Sequence, residues 1–82
     1  MIVTATPSPF TGPFTITVQG GKPPYTAVAK PVPPNPPGIV VTQGPPITVV
    51  PSVVLSPGTP VYVDITDSSN PPQTVTVTNY SA

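Results

Sequence analysis

Seventeen of the 82 residues are proline, spread so evenly that the longest proline-free stretches, residues 61–70 and 73–82, run only ten residues each. Proline inside a helix removes a hydrogen bond and clashes with the preceding turn. Both stretches also alternate with period two, whereas helix needs apolar residues at three- and four-residue spacing. No segment reads as helix. With six glycines, Pro and Gly reach 23 of 82 residues, a share at which low-complexity coil is the rival reading. β-Branched content decides against coil: Val (14), Ile (5) and Thr (13) supply 32 residues of the kind that fits a pleated, half-buried surface. Disordered chains pair low hydrophobicity with high net charge, and this chain has zero net charge and a mean hydropathy of +0.20. Residues 1–82 read as one all-β domain with stiff, proline-rich loops.

Three segments alternate strictly. In 14–19, Phe14, Ile16 and Val18 share one face, and Gly20-Gly21 follows as a turn signal. In 60–66, Val61, Val63 and Ile65 point inward and leave Tyr62 and Asp64 outside. In 73–80, Val75 and Val77 point inward between threonines. These eight apolar residues are the expected core. The turn 67–72 joins the last two strands, with Asp, Ser and Asn to bond their own backbone and two prolines to stop pairing. Residues 25–29 form a further strand, and 2–6 an edge strand closed by Pro7-Ser8-Pro9. Residues 38–42 and 47–55 are apolar without alternation, which suits strands with apolar surface on both sides. Pro51 moves its segment to an edge or a bulge, because it has no N–H for a ladder. About seven strands at roughly ten-residue spacing predict a sandwich.

Missing residue types exclude most chemistry. The chain has no Cys, His, Glu, Arg or Trp. It therefore offers no thiolate, no zinc–thiolate site and no imidazole. Two lysines cannot form the basic patch that nucleic acid requires. No run of 18 apolar residues exists to span a bilayer as a helix, and the first residues lack the basic and long apolar regions of a secretory signal. Asp64 and Asp67 are the only carboxylates. Three apart on a strand they point to opposite faces, which does not suit a glycosidase or acid/base pair facing one cleft. Asp67, Ser68, Ser69 and Asn70 offer a few oxygens, fewer than the six to eight that calcium prefers. A hydrogen-bonded turn is the simpler reading. Lys30, Pro33 and Pro36 have the spacing of a polyproline ligand, but Asn35 stands where an apolar residue is wanted, and a stiff loop accounts for the prolines. The expectation is no enzyme, no cofactor and no metal.

The run Val18-Gln19-Gly20-Gly21-Lys22-Pro23-Pro24-Tyr25-Thr26 resembles the V-x-G-G-x-P-P-Y-T signature of bacterial and phage immunoglobulin-like repeats. Thr66-Asp67-Ser68-Ser69-Asn70 resembles their T-D-S-x-G-like turn, and Thr74-Val75-Thr76-Val77-Thr78 their closing strand. The resemblance covers residues 14–79. It implies an immunoglobulin-like β-sandwich of about seven strands and a non-catalytic role in adhesion, spacing or surface decoration. The chain departs from the pattern in its proline-rich middle, so the path through residues 30–56 stays open.

Charge supplies the functional expectation. Soluble domains normally carry about a quarter charged residues, and here there are four in 82. A neutral surface of Thr, Pro and Val suits an ordered assembly. The expected partners are protein surfaces: a major capsid protein, or sister copies on a virion. The alternative is one repeat of a secreted adhesin at a cell surface. An own initiator Met1, no internal repeat and no leftover linker lean toward the small capsid decoration protein. Tyr62, Ile39, Val40, Val41, Ile47 and Val50 are the candidate contact residues. Pro7, Pro9, Pro51 and Pro60 are expected to guard edge strands in place of charge.

Overall fold

A computed structural model of the chain describes residues 1–33, 35–44 and 46–82. Pro34, inside the proline-rich middle, and Pro45 lie outside the described residues. Seven antiparallel strands form: β1 (Ile2–Thr6), β2 (Phe14–Gln19), β3 (Thr26–Ala29), β4 (Ile39–Thr42), β5 (Ile47–Pro51), β6 (Pro60–Thr66) and β7 (Thr74–Tyr80). They make two sheets, ordered β1-β2-β5-β4 and β3-β6-β7. The sheets face each other over a core of Phe10, Phe14, Ile16, Ala27, Ile47, Val49, Val61, Val63, Ile65 and Val77. The architecture is a β-sandwich.

Six of the eight expected core residues are buried. Val18 and Val75 are half-buried. Val18 lies beyond the last β2–β5 rung, Ile16↔Ile47, so no β5 residue stands opposite it. Val75 belongs to β7, which has a neighbour on one side only. Phe10 joins the core with no periodic signal in the sequence, since it stands between two prolines outside any strand. Its ring packs 4.9 Å from Phe14.

The middle of the chain corrects two expectations. β4 does not meet apolar surface on both sides: Val40 is 53% exposed, while Ile39 and Val41 turn inward. Pro51 is on neither an edge strand nor a bulge, since β5 lies between β2 and β4. Its missing N–H costs nothing there. Ser52 N–H donates to Gly38 O at 2.8 Å, toward the β4 side, so by alternation Pro51 faces the β2 side. There β2 has already ended, with Phe14 opposite Val49. Pro60 repeats the device in β6. It faces the β3 side, past the last rung Ala29↔Val63. Neither proline guards an edge.

Two features tie the sheets together. Residues 7–10 cross from β1 to the end of β7, where Phe10 N–H donates to Tyr80 O at 3.0 Å and Ala82 N–H to Phe10 O at 2.9 Å. The buried Asn79 adds a bond from Nδ2 to Pro7 O at 2.9 Å. At the other end the β2–β3 and β6–β7 turns interlock. Gly20 and Gly21 adopt φ of 77° and 70°, left-handed values that glycine reaches without strain. A Cβ on Gly21 would stand 2.9 Å from Asp67 Oδ2, so a side chain at position 21 would displace the Asp67 carboxylate.

Candidate interaction surface

The outer face of the four-stranded sheet is set by register. Thr6 pairs with Thr15, Thr15 with Thr48, and Thr48 with Thr42, which places one threonine on each of the four strands in a single row. Thr4 and Thr17 form a second row, and Val40 faces Val50 beyond the first. Alternation puts all of these on the solvent side. The smaller sheet has the same character, with a row Thr26–Thr66–Thr74 beside Val28, Asp64 and Thr76.

Two of the four side-chain charges pair with each other. Lys30 Nζ stands 2.9 Å from Asp64 Oδ2, and Thr76 Oγ1 donates to Asp64 Oδ1 at 2.6 Å. The Thr76 hydroxyl, then Lys30, holds the Asp64 carboxyl below its ordinary pKa. Asp67 is 5% exposed. Its Oδ1 accepts from Ser69 Oγ at 2.6 Å, Gln73 N–H at 2.8 Å and Ser69 N–H at 3.3 Å, and its Oδ2 accepts from Lys22 N–H at 3.1 Å. The Ser69 hydroxyl and the Gln73 N–H lead in lowering its pKa to about 2, against burial, which raises it. The two carboxylates share no partner. Asp67 locks the turns together, and both its oxygens are engaged in doing so. Among the described residues no group of three potential metal-ligating side chains stands together.

The structure scatters the six candidate contact residues. Ile47 is 6% exposed and belongs to the core. Ile39 and Val41 pack against that core. Only Val40 and Val50, opposite each other, lie on the outer face of the larger sheet, with Val50 half-buried. Tyr62 is half-buried on the outer face of the smaller sheet, opposite Thr78. The non-alternating run hid which side of β4 and β5 meets the other sheet. An open groove of about 630 Å³ adjoins Ile47, walled by Val18, Pro23, Pro24, Tyr25 and Pro46. The Tyr25 hydroxyl donates to Gly20 O at 2.6 Å and closes the turn beside it.

Two amide side chains complete the backbone pairing of the smaller sheet. Asn35 is 2% exposed. Its Nδ2 donates to the carbonyls of Lys30 and Tyr62, both at 2.9 Å, and its Oδ1 accepts the Tyr62 N–H at 2.7 Å. It continues the ladder where β3 has stopped. Gln43 does the same for the free edge of β3: Oε1 accepts the Ala27 N–H at 2.9 Å, and Nε2 donates to the Ala27 carbonyl at 2.6 Å. The available signal was a lone amide in each of two proline-rich linkers, a residue type that mimics backbone.

Comparison with family models, curated proteins and solved structures returned no match.

Proposed function

We propose that this chain is a non-catalytic, immunoglobulin-like structural module that binds protein surfaces within a repeated assembly, as a small decoration protein on a virus capsid. The single observation that carries this reading is the nearly uncharged exterior. With Lys30 closed on Asp64 and Asp67 buried in its turn, Lys22 supplies the remaining side-chain charge. Rows of threonine with Val28, Val40 and Ile2 exposed among them require little desolvation of charge on contact. The strand order supports the immunoglobulin-like part: four strands ordered 1-2-5-4 against three ordered 3-6-7 is the ABED/CFG arrangement of constant-type domains. The Gly-Gly-Lys-Pro-Pro-Tyr run lies between β2 and β3, and Thr-Val-Thr-Val-Thr lies in β7, the last strand.

The test strips the protein from its parent particle and adds it back across a salt series. Binding should persist from about 50 to 500 mM salt, a range that screens charge-driven contacts. Binding that collapses within that range overturns the reading. One observation favours a second reading, a repeat of an extracellular adhesin. Met1 lies beside Gly20 and Gly21, whereas Ala82 bonds Phe10 at the other end, a placement that lets copies be strung in line. The length of the natural reading frame separates the two.

A further inference from the structure

The sheets have four edge strands, and they are not equally protected. β3 is sealed at Ala27 by Gln43. β1 and β4 are short, and alternation leaves two outward-facing residues on each. β7 is different. Lys30 N–H donates to Tyr62 O at 3.1 Å, so the Tyr62 backbone faces β3. By alternation Val61, Val63 and Ile65 bond β7 residues Asn79, Val77 and Val75. The N–H and C=O groups of Thr74, Thr76 and Thr78 then point away from the sheet. All three residues are exposed, and among the described residues none of these six groups has a partner. The strand contains no proline, glycine or charged residue, the usual guards of an edge.

The open stretch is bounded at both ends. At Tyr80 the carbonyl accepts from Phe10, and the N–H donates to Asn79 Oδ1 at 2.9 Å. Before Thr74 the next outward-facing position is Pro72, which has no N–H. The slot therefore holds three residues, centred on Thr76, and it complements itself.

We infer that β7 is the docking edge for the β7 of a second copy, antiparallel about a two-fold axis at Thr76, which joins two three-stranded sheets into one of six strands. This rests on the assembly reading above and names a partner and a surface for it. In this register Thr76 pairs with Thr76 of the partner subunit, and Thr74 with the partner's Thr78. All six open groups of each copy are used, forming six backbone hydrogen bonds. Pro72 falls opposite Tyr80, two positions with no backbone N–H to offer, so pairing ends there. Threonines meet threonines on the outer face. Half-buried Val75 meets the partner's Val77 on the inner face, and such cross-strand pairs are stabilising. No charge opposes the contact, and a register shifted by two residues would strand groups on both copies.

Residue-resolved hydrogen exchange and sedimentation, on the full chain from micromolar to millimolar concentration, test this. The amides of Thr74, Thr76 and Thr78 should gain protection together as dimer forms, while those of Val3 and Ala5 on β1 stay unchanged. Thr78→Pro removes two of the six bonds and should weaken association about tenfold or more. It leaves the internal ladder intact, which the protection of Val61, Val63 and Ile65 verifies. Thr78→Ser should associate like the parent. Two outcomes overturn the inference: association that protects another edge or a sheet face, and a chain that is monomeric at millimolar concentration with these three amides in fast exchange. Both leave the particle-binding test to decide the assembly reading separately.

Discussion

Asn35 replaces a strand that the chain does not supply. Its side chain satisfies two carbonyls and one N–H in a nearly sealed site. Asn35→Ala leaves the Lys30 carbonyl and the Tyr62 N–H without their Asn35 partner, while the Tyr62 carbonyl keeps the Lys30 N–H, and each buried unsatisfied group costs about 1–3 kcal/mol. We expect the variant to lose on the order of 3 kcal/mol of unfolding free energy in a urea titration. Asp67 carries the acid sensitivity. Its folded pKa of about 2 lies below the ordinary carboxylate value. The stability it contributes is therefore complete above pH about 4 and lost as pH falls toward 2. Asp64 is shifted in the same direction and adds to this loss. The melting temperature should fall through that window, and Asp67→Asn should flatten the fall without abolishing it. The variant should also melt lower at neutral pH, because an amide nitrogen cannot accept the bonds now made to both oxygens. A variant whose melting curve still follows pH like the parent's would show that Asp67 is not the source. That Asp67 ends in a hydrogen-bonded turn was legible from the run of Asp, Ser and Asn before two prolines. That it reaches Lys22, 45 residues away, was not, because no local pattern encodes which turns meet.

At the scale of elements, edges and interiors divide the prolines from the amides. The rule that a ladder cannot spare an N–H assigns Pro51 and Pro60 to edges. They sit in interior strands at the one parity where the neighbouring strand has ended. Strand lengths decide this, and a single strand's sequence does not contain its neighbours' lengths. The guarding of β3 falls instead to Gln43, an exposed residue with both side-chain groups bound to Ala27. Gln43→Ala should cost only about 1 kcal/mol, in line with a partly solvated pair of hydrogen bonds. Its sharper signature is hydrogen exchange: the Ala27 amide should lose protection while the Val63 and Val77 amides keep theirs. Unchanged protection at Ala27 would refute the guarding role.

The whole molecule rests on a thin core. Among the described residues ten apolar side chains are buried, and the three on β6, Val61, Val63 and Ile65, are fully so. Shortening Ile65 to alanine should cost about 2–5 kcal/mol by loss of burial and by cavity formation. A domain of this size has roughly 4–12 kcal/mol in total, so Ile65→Ala should lower the melting temperature by about 10 °C or more. A shift of only a degree or two would mean that the sheets close over the gap.

The sequence determined β-structure, the alternating strands β2, β6 and β7, the inward sets on them, and a scarcity of charge. Each of these follows from local period, residue type or counting, which need no knowledge of neighbours. Tertiary structure alone decided which side of β4 and β5 is buried, since Ile39-Val40-Val41 and Val49-Val50 are apolar on both parities. It also decided that Ile47 lines the core, that Asn35 and Gln43 stand in for strands, and that β7 keeps an open edge while β3 is closed at Ala27. These outcomes depend on which strands lie side by side and where each one stops. Pairing is made between segments far apart in the chain, and a residue carries no local mark of the partner it will meet.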